Sequence, residues 1–203
     1  MWRKLKYWIG RAWLGAVGWR VEGKLPEARK FVFIAAPHTS NWDLPLMLLT
    51  AYVLGARISW LGKHTLFRGP FGWLMKALGG IPVDRRSPQN LVQQVAARFT
   101  ATDAMILAVS PEGTRTKVTY WKSGFYQIAH AAQVPVAMGF LDFKRKVAGL
   151  GPLLLTTGDV HADMDRIRAF YRDIRGKRPE NETTPRLREE DAEARVEPAV
   201  SAR

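Results

Sequence analysis

Pro37-His38-Thr39-Ser40-Asn41-Trp42-Asp43 sets an imidazole and a carboxylate within one turn of each other, in a chain of 203 residues that contains no cysteine. The stretch falls where an apolar run, Phe31 to Ala36, gives way to a helical pattern, a usual place for reactive groups in α/β proteins. A histidine on such a loop can turn toward an aspartate in the first helical turn. The carboxylate then holds one ring nitrogen, fixes the tautomer and stabilises the imidazolium, leaving the other nitrogen to take a proton from a hydroxyl. No serine or cysteine is needed, because a substrate alcohol can itself attack. The spacing alone is common, and the same two residues can simply bond to each other and cap a helix.

A second stretch, Ser110-Pro111-Glu112-Gly113-Thr114-Arg115, follows another apolar run, Met105–Val109. It joins a carboxylate, a glycine that lets a ligand approach the backbone, and a guanidinium able to grip phosphate with two parallel hydrogen bonds. The bland alternative is a turn with an incidental Glu–Arg pair. In the third, Gly79-Gly80-Ile81-Pro82-Val83-Asp84-Arg85-Arg86, two arginines follow a short strand pattern. If the strands run parallel, all three loops open on one sheet edge. A base, a carboxylate and several guanidiniums would then share a pocket suited to transfer onto an alcohol that carries a phosphate. His64, His130 and His161 lie in no metal-ligand spacing. Lys144, Arg145 and Lys146 read as a solvated turn.

The elements that must position these loops alternate. Strands are predicted at Phe31–Ala36, Ile58–Leu61, Ile81–Val83, Met105–Val109 and Val134–Phe140. Helices are predicted at 42–54, with Asn41 as N-cap and Pro45 tolerated in the first turn, and at 70–78, 89–99, 123–132 and 164–174. A hairpin or further strand is expected near Leu153–Thr156. This pattern predicts an α/β fold, a mixed and largely parallel sheet flanked by helices. Residues 2–19 read as a helix of their own. Trp2, Leu5, Trp8, Ile9, Trp13 and Trp19 fall within roughly one 140° arc, with Arg3, Lys4 and Arg11 opposite. Indole rings and cations so divided suit a headgroup boundary, and a terminal helix docked on its own core is the alternative. The expected organisation is therefore an amphipathic interfacial helix at 1–20, one catalytic domain at 21–175, and a mobile tail at 176–203, where large apolar residues are few.

Composition narrows the partners. The net charge is +13, and residues 176–203 hold 6 basic and 7 acidic side chains, so the excess lies on the folded part. Such charge implies a polyanionic partner: an anionic bilayer, phosphorylated substrates or nucleic acid. Without cysteine, disulfides, thiolate metal sites and a cysteine nucleophile are excluded. Leu44 to Ala56, broken by Pro45 and Thr50, is shorter than the roughly 20 apolar residues a membrane span requires. Arg11 interrupts any signal-peptide reading of the N-terminus.

Taken in order, the three stretches resemble the glycerophospholipid acyltransferase family, whose best-known members acylate lysophosphatidic acid. Its His-x4-Asp motif matches His38 to Asp43, its glycine-to-arginine motif matches Gly80 to Arg85, and its Glu-Gly-Thr-Arg motif matches Glu112 to Arg115. The stretch Lys63, Phe67, Pro70 and Gly72 resembles the family's segment before the second motif. After Val134-Pro135 the chain lacks the further proline that members usually carry. The resemblance implies an O-acyltransferase in phospholipid biosynthesis that moves a fatty acyl group from acyl-CoA or acyl carrier protein to a lysophospholipid, foremost 1-acylglycerol-3-phosphate. His38 would be the base and Asp43 its orienting partner. Lys63, Arg85, Glu112, Gly113, Thr114 and Arg115 would bind substrate, with backbone donors near Gly113 assisting. No metal or cofactor is implied beyond the donor thioester. A peripheral position on the cytoplasmic face of an anionic membrane is expected, and no nucleic-acid partner. Two alternatives remain at this point: acylation of another lysolipid, such as an amino-acid-containing one, or a non-catalytic protein that binds anionic lipid or nucleic acid.

Overall fold

The computed structural model describes residues 2–69, 71–83 and 88–193. In chain order the elements are α1 (Trp2–Ala16), β1 (Arg20–Glu22), β2 (Lys30–Ala36), α2 (Asp43–Leu54), β3 (Ile58–Lys63), α3 (Gly72–Ala77), β4 (Gly80–Val83), α4 (Pro88–Ala101), β5 (Met105–Val109), α5 (Gly124–Ala132), β6 (Val136–Asp142), β7 (Val147–Leu154), α6 (Val160–Tyr171) and α7 (Glu189–Glu193). A short 3-10 turn, His64–Phe67, follows β3. The strands form one sheet in the order β1-β7-β6-β2-β5-β3-β4. Neighbours run parallel except β6 and β7, which pair antiparallel. Parallel neighbours need long crossovers, and the helices between the strands supply them. The expected mixed, largely parallel α/β sheet is thus the observed fold.

Alternation along β2 divides the core between the two faces of the sheet. Val32 and Ile34 join Val136 and Met138 against Phe99, Phe125, Ile128 and Met164, on helices α4, α5 and α6. Phe31 and Phe33 point the other way, with Trp60 and Ala108, toward Leu44 and Met47 of α2. Strands buried on both faces carry continuous apolar runs, as the sequences of β2 and β5 do.

Several expectations change in the folded chain. The strand expected near Leu153–Thr156 is instead an eight-residue strand that starts at Val147 and turns back from β6. Gly149, Gly151 and Pro152 break up its apolar pattern. The turn before it holds Lys144, Arg145 and Lys146 around buried Asp142, which accepts from Lys144 N–H at 3.0 Å and pairs with Arg145 at 2.8 Å. Asn41 is not the cap of α2. Trp42 occupies that position without a side-chain cap, and Ser40 Oγ accepts the Trp42 N–H at 3.2 Å.

Helix α1 is amphipathic, but it is not a free-standing unit. Its buried Gly10 and Leu14 pack on α2, where a Cβ at Gly10 would lie 2.8 Å from the Leu49 carbonyl oxygen. Only glycine permits that approach. Trp2, Trp8 and Trp13 remain exposed at 73%, 65% and 49%. Trp19 differs from the expectation. It lies beyond the helix end and is buried, edge-on to Phe143 at 4.9 Å, because the chain has turned inward toward β1.

The segment read as a mobile tail also differs over residues 176–193. It packs back on the domain through fully buried Leu187 and buried Glu190. Low apolar content concealed a single well-placed leucine. Residues 194–203 lie outside the described residues.

Candidate active site

The sheet register explains how two distant loops meet. β2 and β5 are parallel neighbours, with Ile34 opposite Val109. Four residues past Ile34 is His38, and three past Val109 is Glu112. Both loops therefore leave the same sheet edge side by side, and Glu112 Oε1 accepts the His38 N–H at 3.0 Å.

The His38 loop closes on Asp43, the first residue of α2. Asp43 Oδ2 accepts from Thr39 N–H and Ser40 N–H, both at 2.9 Å, and lies 3.0 Å from His38 Nδ1. An ionised carboxylate can only accept, so the shared proton belongs to Nδ1. Nε2 then carries the lone pair. The Asp43 side chain is 7% exposed and the His38 side chain 22%, so the anchor is buried while the imidazole stays reachable. A mere cap would not need three donors on one oxygen with the ring among them.

Glu112 is placed behind the loop. It is 4% exposed, and Oε2 has no protein partner. Burial pushes its carboxyl up from 4.5 to about 7 against the opposing pull of backbone N–H groups, including that of His38. Buried Tyr171 donates its hydroxyl to the Gly139 carbonyl at 2.7 Å, and burial together with the Glu112 charge holds its phenol well above the ordinary tyrosine range.

His38 and Asp43 face a cavity of about 1290 Å³. One limb runs between α2 and the sheet, lined by Phe31, Phe33, Met47, Ala51, Ile58 and Ala108. Lys63, at the end of β3, also lines the cavity, as do Gly113, Thr114 and Arg115. Among the described residues neither Lys63 nor Arg115 has a carboxylate partner. Gly113 sits at φ +67°, where a Cβ would come within 2.8 Å of the Lys122 side chain, so glycine there admits the lysine. The Gly113 N–H is already given to the Ser110 carbonyl at 3.1 Å, so it is not available to a substrate. Arg85, with Asp84 and Arg86, lies outside the described residues; β4 does end beside Lys63, with Val83 its register partner. Of the other histidines, His130 meets Thr156 Oγ1 at 3.3 Å and His161 the Glu190 carbonyl at 2.8 Å, both away from His38.

The family model for Acyltransferase matches residues 19–138, more than half of the chain, including both loops. The chain belongs to the Acyltransferase family. Its structure is also similar to the crystal structure of the 1-acyl-sn-glycerophosphate (LPA) acyltransferase PlsC from Thermotoga maritima. The identity is 18% and the TM-score 0.59, over 85% of this chain and 78% of that one. At that identity the likeness shows a shared fold. Comparison with curated proteins gave no match.

In this member of the Acyltransferase family two further cations stand on the cavity wall, neither singled out by sequence patterns. Lys122 lines the cavity over Gly113, and Arg188 lines it from the C-terminal segment. Lys122 follows buried Trp121 at the start of a helical pattern, where a lysine attracts no notice. Nothing local marks Arg188.

Proposed function

We propose that this acyltransferase moves a fatty acyl group from the thioester of coenzyme A or acyl carrier protein to the hydroxyl of a lysophospholipid, with 1-acylglycerol-3-phosphate the leading acceptor. The observation that carries the reading is the His38–Asp43 pair, with its free ring nitrogen at a cavity that has cations on its wall and an apolar limb. An amphiphile with one phosphate and one alkyl chain matches both chemistries.

In the reaction, His38 Nε2 takes the proton of the acceptor hydroxyl as its oxygen attacks the thioester carbonyl carbon. The Asp43 carboxylate stabilises the imidazolium that forms. When the tetrahedral intermediate collapses, the carbon–sulfur bond breaks, and the imidazolium can return its proton to the departing thiolate. Lys63 and Arg115 hold the acceptor phosphate, with Arg85 joining them. Thr114 borders that contact. Glu112 acts one step back, holding the His38 backbone. The acyl chain occupies the limb beneath α2.

The exposed indoles of α1 and its cations fit the surface of an anionic membrane, which we assign as the cytoplasmic face where donor thioesters are made available. No helix among the described residues is long and apolar enough to cross a membrane, so attachment through α1 is peripheral in this reading. The product places the enzyme in phospholipid biosynthesis.

Thioester release by purified protein across a panel of lysolipids tests the assignment. Lysophosphatidate should be the best acceptor, and His38→Ala should abolish release while leaving thermal stability unchanged. Undiminished turnover by that variant would refute the mechanism, and preference for a zwitterionic lysolipid would refute the acceptor.

A further inference from the structure

Residues 176–193 form a strap along the same sheet edge as the reactive loops. It starts beside the His38 loop, where Arg178 N–H donates to Thr39 Oγ1 at 3.2 Å. Next it passes the loop after Arg115, where Val118 N–H donates to Thr183 Oγ1 at 3.0 Å. Trp121 N–H donates to the Arg186 carbonyl at 2.7 Å, and Trp121 and Leu187 form a parallel bridge. Glu190, 4% exposed, accepts from Leu187 N–H at 2.7 Å and pairs with Arg168 at 2.6 Å. Position 188 is thus pinned on both sides by buried contacts. A side chain presented from such support loses little freedom when it binds.

Two arginines of the strap lie over the ring of Tyr120, Arg186 at 5.8 Å and Arg188 at 5.6 Å. Their surroundings differ. Arg186 pairs with Asp191, which also accepts from the Tyr120 hydroxyl. Arg188 has no carboxylate partner among the described residues. It is exposed, and it lines the cavity that holds His38, Lys63, Arg115 and Lys122. Glu189 is the one acidic side chain on that wall, among the described residues, besides Asp43. Stacking on an aromatic face orients a guanidinium and leaves its N–H fork free.

We infer that Arg188 is a specificity-determining residue that binds a phosphate group of the substrate at the cavity wall. It is contributed by a strap beyond the family-matched segment. The inference rests on the acyl-transfer reading above. The phosphate is either the monoester of the acceptor or one carried by the donor, since a guanidinium meets both with the same pair of N–H donors.

Steady-state kinetics of the full chain distinguishes the two, with hexanoyl lysophosphatidate and hexanoyl-CoA varied in turn. Arg188→Ala should raise KM for one of them by about tenfold or more, the worth of a charge-assisted hydrogen bond. Arg188→Glu should raise it further, and Arg188→Lys should recover part of the loss. Turnover number and melting temperature should stay near wild type. Lys117→Ala, which removes an exposed charge that does not line the cavity, should leave both KM values unchanged. A rise confined to the acceptor assigns its headgroup, and one confined to CoA assigns the donor phosphates. If neither KM moves beyond the Lys117→Ala control while wild type turns over, the inference is wrong. It is equally wrong if lysine restores nothing and stability drops. Should wild type transfer no acyl group at all, the functional reading fails on its own. Calorimetric binding of hexanoyl lysophosphatidate and of CoA then decides the role of Arg188, which equal affinities in wild type and Arg188→Ala would overturn.

Discussion

Glu112→Gln isolates the electrostatic cost of burying a carboxyl behind the His38 loop. In the folded protein this carboxyl is raised from 4.5 to about 7, mainly by burial. Below pH 4.5 both folded and unfolded chains hold the proton, and the shift has no effect on stability. Between 4.5 and 7 the unfolded chain releases it while the folded one retains it, so wild-type stability falls as pH rises. Above 7 the loss is complete. At about 1.4 kcal/mol per pKa unit, the change between pH 5 and pH 8 is roughly 2–3 kcal/mol. Glutamine keeps an oxygen to accept the His38 N–H, but it places an amide NH2 where Oε2 has no protein partner. That amide costs about 1–3 kcal/mol at every pH, so the comparison between two pH values cancels it. Relative to wild type, the variant should therefore gain roughly 2–3 kcal/mol on going from pH 5 to pH 8. This corresponds to about 5–10 °C in melting temperature for a chain of this size. Urea denaturation or calorimetry at the two pH values reads it directly. A stability difference that is flat with pH, or that moves in favour of wild type as pH rises, would refute the argument.

Asp43→Asn keeps the shape of the anchor while removing the charge that sets the His38 tautomer, and kcat should fall about 10³–10⁴-fold with the fold intact; a loss under about tenfold would count against His38 as the base. Ala51→Phe fills the limb under α2 and should favour short acyl thioesters over long ones by about tenfold or more in kcat/KM; an unchanged chain-length profile would place the acyl chain elsewhere. Replacing Trp2, Trp8 and Trp13 together by serine should weaken binding to anionic vesicles by about tenfold or more with stability nearly unchanged, because all three rings are exposed. Vesicle flotation checks it, and equal partitioning would remove α1 as the attachment.

Much of the site's vocabulary was readable along the chain. His38, Asp43 and Glu112–Arg115 stand immediately after apolar runs, and a strand end followed by polar groups and a helix is a local signal. Lys122 and Arg188 gave no such signal, since each is an unremarkable cation until folding sets it on the cavity wall. The strap is hidden in the sequence for a related reason. Its anchors are one leucine and a buried Glu190–Arg168 pair, and pairing between residues 22 positions apart leaves no trace in composition. Trp19 is the reverse case: its spacing continues the helical periodicity, but the helix ends at Ala16 and the chain turns inward.

The order of residues alone determined the alternation of strand and helix, the chemical groups at each strand end and the excess of positive charge. These are properties of neighbours, and neighbours along the chain feel one another before anything folds. Which loops share an edge was decided only by the tertiary structure, because strand order and register follow from burying both faces of the whole sheet at once. That register is what sets the Glu112 carboxyl on the His38 backbone, and the strap's bridge from Leu187 to Trp121 is what brings Arg188 to the same cavity.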